Sequence, residues 1–303
     1  MVTLILMGDP VTRATTVPAR VLLTGAFGVI GSPTVDTLRA NGIAVTALSN
    51  VRPETPLGAD RVFVGDAGDV DLVRAALADV DAVVHLAALA SPRHGDAVDV
   101  FAGNTRATFV VLDEAGKAGI GRAVIASSYS VLGLPFAEPD LHPAYLPLDE
   151  HTPLQVEDCY ALSKQVDEAT AHMVARRYGM TVAALRFPYV ANTGMLAQRI
   201  ARVTADPSDA ARECWTYLDV RDAAEAAWLS LTAPLTGAPA IFLAAPETLA
   251  PYPTEDLIRA YHPDSEIRRP LPDRTAPIDL EPATRLLGFA ARHVVPLAMK
   301  PLH

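Results

Sequence analysis

The sequence predicts a doubly wound α/β fold: a parallel sheet covered by helices on both faces, with a small C-terminal lobe. Three observations predict it. Short runs that are apolar on both faces alternate with helix-length segments up to residue 187, the pattern of strands buried beneath two helical layers. Half of the 303 residues are hydrophobic and a fifth are charged, which suits a large core and argues against disorder. Many of the 25 prolines fall between the periodic segments and punctuate loops.

In chain order, "RVLLT" (20–24), "AVTAL" (44–48), "RVFVG" (61–65), "DAVVHLA" (81–87), "RAVIAS" (122–127) and "TVAALRF" (181–187) read as buried strands. Helical segments lie between them at 29–40, 69–78, 97–118 and 158–178. After about 188 the rhythm breaks. "ADPSDA" and "TAPLTGAPA" read as loops, with helices at 219–232, 254–261 and 280–287. No repeat of 20–50 residues is visible.

The net charge of −10 is a poor match to a polyphosphate backbone and argues against nucleic acid as a partner. No stretch reaches the roughly 18–20 apolar residues that span a bilayer. "MVTLILMGDP" lacks a basic flank and meets Asp9 and Pro10 too early for a signal peptide. Cys159 and Cys214, the two cysteines, suggest a reducing compartment. The expectation is a cytoplasmic protein with no membrane association. Lysines are scarce: Lys117, Lys164 and Lys300 complete the set.

"TGAFGVIG" follows the first strand directly and opens the first helix. Gly25 suits the positive φ of a tight turn, Gly28 lets backbone approach a pyrophosphate, and Gly31 permits close helix–strand packing. Phe27, Val29 and Ile30 complete the loop, and the helix N-terminus faces the phosphates. A ligand-free turn is the bland alternative. The second strand ends in Ser49 and Asn50, with Arg52 close by, where an acidic residue would take the ribose hydroxyls of NAD. A small polar residue beside an arginine suits a 2′-phosphate, so the reading leans toward NADP within NAD(P); a solvated Arg52 is the alternative. Asp66, followed by Ala67, either accepts from the adenine amino group or serves as a turn or cap residue.

"RAVIASSYSVLG" leads a strand into a cluster of hydroxyls, and "DCYALSK" places Tyr160 and Lys164 one helical turn apart on one face. A phenol has a reference pKa of about 10 and exchanges protons near neutrality only with help, which a neighbouring ammonium supplies.

These motifs together resemble the extended short-chain dehydrogenase/reductase (NAD-dependent epimerase/dehydratase) family over roughly residues 19–245. "TGAFGVIG", "HLAA" (85–88), "NTRATFVVLDEA" (104–115), "SSYSVLG", the Tyr160/Lys164 pair and "YLDVRDAAEA" (217–226) follow that family's order. The resemblance implies a Rossmann-like fold. Residues 1–18 are then an N-terminal extension, and 19–188 a dinucleotide-binding domain carrying the catalytic residues. Residues 189–303 form mainly a substrate-covering lobe, returning in part to the main domain. Tyr160 is implied as general acid/base, with Lys164 lowering its pKa and holding the nicotinamide ribose. Ser128 would hydrogen-bond the reacting oxygen, with Ser130 as secondary candidate, and Asn104 would order the site. Leu86, Ala87, Ala88, Asn104 and Phe187 join the cofactor contacts. The family commonly dimerises through the helices at 97–118 and 158–178, which implies a homodimer.

Two positions depart from the family's nucleotide-sugar members. "LRFPYVAN" has Tyr189 where an asparagine contacts the sugar diphosphate, and "ECWTYLDVRD" has Trp215 where an arginine grips it. A neutral indole does not replace a bidentate guanidinium. The preferred expectation is an NAD(P)-dependent oxidoreductase acting on a small carbonyl or hydroxyl compound, with Tyr189 and Trp215 near the substrate. An epimerase or dehydratase that retains NAD, and a non-catalytic cofactor sensor, are the alternatives. Arg186 anchors a carboxylate or makes a structural ion pair. No His-x-x-x-His or Glu-x-x-His pairing signals a metal, and the serines lack Gly-x-Ser-x-Gly.

Overall fold

The computed structural model describes residues 17–55, 57–137 and 141–302. Most of the predicted N-terminal extension, residues 1–16, lies outside them. The first half runs β1 (Arg20–Thr24), α1 (Gly31–Ala40), β2 (Ala44–Ser49), β3 (Arg61–Val64), α2 (Val70–Ala76), β4 (Ala82–His85), α3 (Ala97–Lys117) and β5 (Arg122–Ser128). Then follow β6 (Tyr145–Leu146), α4 (Cys159–Tyr178), β7 (Thr181–Phe187), β8 (Tyr189–Ala191) and α5 (Thr193–Ala205). The chain closes with β9 (Tyr217–Asp219), α6 (Val220–Thr232), β10 (Ala240–Phe242), α7 (Thr254–Tyr261), β11 (Glu266–Ile267) and α8 (Glu281–Leu287).

Seven parallel strands form the main sheet in the order β10-β7-β5-β4-β1-β2-β3. The predicted doubly wound class is therefore observed. The order reverses between β1 and β4, opening a crevice at the carboxyl ends of those strands, where open α/β sheets bind ligands. The central strands carry no solvent face: Val21, Leu22, Leu23, Val83 and Val84 are all fully buried. Odd and even residues feed two cores. Val21 and Leu23 pack with Val35 and Leu38 of α1 and Ala223, Ala226 and Ala227 of α6. Leu22 and Val83 pack with Val111 and Ala115 of α3 and Ala171 and Val174 of α4.

Local signals set the ends of α4. The Asp158 side chain accepts from Ala161 N at 2.8 Å as the N-cap, and Gly179 takes the left-handed conformation (φ 68°) that closes the helix. The predicted strand at 81–87 stops at His85: Leu86 N makes the last ladder bond, to Thr24 O at 3.2 Å, and Ala87 N then turns to the Thr24 side-chain hydroxyl instead of to a strand carbonyl. Residues 240–242 add a seventh strand beside β7 that the sequence reading did not identify.

A third core fills the lobe, with Leu132, Leu134, Leu146, Leu196, Trp215, Tyr217 and Leu257 among its buried side chains. An irregular run from Phe289 onward ties this lobe to the sheet layer. Arg292 N and His293 N donate to the Asp222 carboxylate of α6 at 3.1 and 2.9 Å. Val295 N donates to Tyr217 Oη at 2.8 Å, Arg274 donates to the carbonyls of Val295 and Leu297, and Lys300 N reaches Pro251 O at 2.7 Å. Among the described residues no helix is long and apolar enough to cross a membrane.

Candidate active site

The crevice begins at the glycine turn. Gly25 sits at φ 66° with its N–H on Leu48 O at 2.9 Å, and a Cβ there would stand 2.7 Å from Ala87 N. Gly28 N closes the turn on Gly25 O at 3.0 Å. A Cβ on Gly31 would overlap the Gly25 carbonyl oxygen and the Ala26 backbone. Helix α1 starts with no side-chain cap and no acidic residue in its first turn. Ser32 N and Thr34 N are taken by the Gly28 and Ile30 carbonyls and Pro33 has no N–H, so what faces an anion is the backbone of the turn up to Gly31 and the positive end of the helix dipole. Gly28 and Val29 are exposed at the lip, while Phe27 and Ile30 pack partly against the core. This cradle fits a dinucleotide's pyrophosphate.

Other predicted cofactor residues line the same carboxyl edge of the sheet. Ser49 is buried at the end of β2, and its Oγ accepts from Val51 N at 3.2 Å; Asn50 and Arg52 are exposed beyond it. Asp66 is exposed, with one carboxylate oxygen turned onto Gly68 N at 2.8 Å, so the turn role is realised and the other oxygen is spare. Ala67 is buried beside it, and Phe187 is buried where β7 ends. Leu86, Ala87 and Ala88 run alongside the turn, with Ala87 N held by Thr24 Oγ1 at 3.2 Å.

The hydroxyl cluster and the Tyr/Lys pair meet where β5 ends and α4 begins. Ser128 Oγ accepts from Ser130 N at 3.0 Å and keeps its own proton available to donate. Tyr160, in the first turn of α4, is mostly buried, with the Phe136 ring edge-on at 6.0 Å. The Lys164 ammonium lies 5.9 Å from the Tyr160 ring centre. It donates to Ala126 O and to Asp167 Oδ2, each at 2.9 Å. Two of its three N–H bonds are thus used. Burial pulls the Lys164 pKa down, but the charges of Asp167 and Tyr160 outweigh it and leave the ammonium favoured above its ordinary range.

Asn104 is wholly committed to backbone and helix. Its Oδ1 accepts from Leu89 N at 2.8 Å, and its Nδ2 donates to Leu89 O and Ser163 Oγ, each at 3.1 Å. It therefore pins the 86–89 segment to α4, with both amide N–H donors spent on Leu89 and Ser163. Glu168, which the sequence reading missed, ties three elements: it takes both Nε and Nη2 of Arg186 at 2.9 Å and the Ser127 hydroxyl at 2.6 Å. Arg186 is thus a structural ion pair. Asp167 was missed too, although a carboxylate three residues after Lys164 shares its helix face.

Trp215 does not wall an open cleft. It has no solvent exposure, its ring packs against Tyr261 and His262, and its Nε1–H donates to Pro207 O at 2.7 Å. Apolar area and a satisfied donor both favour the lobe interior. Tyr189 is half-buried on β8 with the Arg199 guanidinium 5.4 Å from its ring centre, and Arg199 is itself paired with Asp209 and Glu213. Ser130 is buried in the turn after Ser128. Burial pushes the Cys214 thiol up to about 12, which makes it inert. Among the described residues no group of three or more His, Cys, Asp or Glu is placed to hold a metal ion.

Comparison with known proteins extends this picture. The chain is 34% identical over 176 residues to a "Putative UDP-glucose 4-epimerase" of Methanocaldococcus jannaschii, covering 56% of this chain and 55% of that protein. It is 29% identical over 184 residues to a "Uronate dehydrogenase" of Pseudomonas syringae, covering 59% of this chain and 63% of that protein. The alignments thus span between half and two-thirds of those relatives' length. Among solved structures, MoeE5 in complex with UDP-glucose and NAD has the same fold, with a TM-score of 0.67, 24% identity and 91% and 94% of the two chains covered. The sequence model of the NAD dependent epimerase/dehydratase family matches residues 21–245, the span that carries the glycine turn, the serine turn and the Tyr160/Lys164 helix. The chain belongs to the NAD-dependent epimerase/dehydratase family, the extended short-chain dehydrogenases/reductases.

Proposed function

We propose that this protein is an NAD(P)-dependent oxidoreductase that moves hydride between nicotinamide and a small carbonyl or hydroxyl compound, a free sugar, a sugar acid or a similar molecule. The observation that carries the reading is Trp215. At the position where nucleotide-sugar members of the family carry a diphosphate-gripping arginine, this chain has a buried indole whose N–H is already spent. The nearby Arg199 and Arg202 are neutralised by Asp209 and Glu213. Phosphate recognition needs charge-assisted donors, so a compact substrate without a diphosphate suits the lobe better. The similarity to a uronate dehydrogenase supports the same class.

When bound, the dinucleotide supplies or takes the hydride. The chain's own residues manage the proton and the positions. Tyr160 Oη gives a proton to the carbonyl oxygen during reduction and takes it back during oxidation. Ser128 Oγ donates a hydrogen bond to the same oxygen. The unused N–H of Lys164 serves the nicotinamide ribose, and Asn104 fixes the loop and helix on either side. The test is steady formation of reduced nicotinamide on mixing enzyme, NAD or NADP, and a panel of free sugars and sugar acids. Isomerised product with no net reduction would favour the second reading, an epimerase or dehydratase, which similarity to an epimerase supports.

Two finer proposals accompany this one. Arg52, exposed beyond Ser49, takes the 2′-phosphate of NADP. Arg52→Ala is expected to weaken NADPH binding about tenfold, the scale of one hydrogen bond to a charged group, and to leave NADH binding unchanged in a fluorescence titration. The protein also dimerises through α3 and α4, where Val98, Phe109 and Leu162 are 75%, 47% and 43% exposed. Phe109→Glu combined with Leu162→Glu is expected to shift the sedimenting species from dimer to monomer. A monomeric parent protein would refute that assignment.

A further inference from the structure

A lysine and an aspartate are rarely buried unless they are paired. Here the side chains of Lys164 and Asp167 are only 3% and 1% exposed. The groups facing the ammonium come from every element around it. On α4 they are Asp167 at 2.9 Å, Glu168 and Tyr160; on β5, the Ala126 carbonyl at 2.9 Å; on β4, His85. Thr108 of α3 bonds His85 Nε2 at 3.2 Å and also acts on the Asp167 carboxyl.

Most of these groups do not neutralise the lysine. Glu168 is taken by both prongs of Arg186 and by Ser127. His85 is uncharged: burial, then the charge of Lys164, push its pKa down to about 3. Asp167 remains as the carboxyl in direct contact; burial pushes its own pKa up, and the Lys164 ammonium at 2.9 Å is the main influence pulling it back toward the carboxylate. Its second oxygen, Oδ1, is buried with no hydrogen-bond partner, so its short contact is the one to the lysine, with the Thr108 side chain also favouring the carboxylate. An ammonium withdrawn from water tends to shed its proton, and a carboxylate touching it opposes that.

We propose that Asp167 is a positioning residue that keeps Lys164 protonated inside the fold and aims its one unused N–H into the cleft. The consequence for turnover rests on the dinucleotide reading above. The charge state itself does not, and it is readable without any ligand. The neutral amine would lose both the positive field at Tyr160 and one of the donors that the Ala126 carbonyl, the Asp167 carboxylate and a ribose hydroxyl all require.

The chain suits a direct measurement, because Lys117, Lys164 and Lys300 are its only lysines. With isotope-labelled lysine, three Cε signals can be followed by NMR against pH and assigned with single Lys→Arg variants. In the parent protein the Lys164 signal is expected to keep its ammonium position to about pH 10, near the free-lysine value or above. In Asp167→Asn the midpoint is expected to fall by about two pH units, within the range known for unpaired buried lysines. Asp167→Ser provides a second, smaller neutral variant should the amide disturb folding. Asp167→Glu, which keeps the charge, is expected to keep the ammonium. Lys164 remaining an ammonium to about pH 10 in both neutral variants would overturn the proposal. Melting curves with NAD and NADP are run on the parent protein in parallel. No rise with either would remove the dinucleotide reading while leaving the lysine result to stand.

Discussion

Tyr160→Phe is expected to lower turnover by about a hundred- to ten-thousand-fold, the usual contribution of a positioned acid/base, with the melting temperature and its rise on adding NAD(P) unchanged. The geometry makes this a clean substitution. The Tyr160 ring does the packing, edge-on to Phe136 and beside the Lys164 ammonium. Its hydroxyl makes no hydrogen bond to the described residues, so its removal orphans no partner and leaves the ring packing in place. Lys164 keeps Ala126 and Asp167 in the variant. Activity equal to that of the parent would remove Tyr160 from the chemistry and favour the sensor reading.

Gly31→Ala is expected to be the most disruptive single-methyl change in the cradle. The new carbon would meet the Gly25 carbonyl and the Ala26 backbone, neither of which swings away like the end of a flexible side chain. The turn or the helix must move. Overpacking of this kind costs roughly 1–3 kcal/mol and occasionally more, against a total stability of about 5–15 kcal/mol for a folded domain. The melting point should therefore fall, and the cofactor-induced rise should vanish because the displaced turn is the proposed pyrophosphate site. Gly121→Ala, at a position with open space around it, is the matched control and should be close to neutral. Equal effects from the two substitutions would mean that the cradle tolerates displacement.

The legibility of the sequence followed the physics that each segment obeys. Strand 181–187 and helix 254–261 appear with the boundaries read from pattern alone, because burial on both faces and strong punctuation leave little choice. β10 was missed: three residues, flanked by loop-like sequence, have no periodicity of their own and become a strand only by pairing with β7. α5 was missed for a related reason. Its partly apolar stripe is buried only against the lobe core, which forms from residues as distant as Leu132 and Leu257.

The site divides along the same line. Tyr160 and Lys164 were visible because one helix presents both. The Glu168–Arg186–Ser127 and Asn104–Leu89–Ser163 ties join residues between 15 and 59 positions apart, so they exist only in three dimensions. Trp215 was placed by analogy of position. Its side chain instead follows the lobe core, since a large apolar ring with one N–H is best satisfied inside with a carbonyl acceptor.

The irregular run beyond Phe289 has a mechanical consequence. Asp222 of α6 on one side and Arg274 and Pro251 of the lobe on the other are laced together by that run. The two halves are therefore hemmed at their shared edge, and any gape must either pivot about this seam or unpick it. A shift of the lobe against the sheet layer thus has to strain or release backbone hydrogen bonds made by a segment with no regular structure of its own.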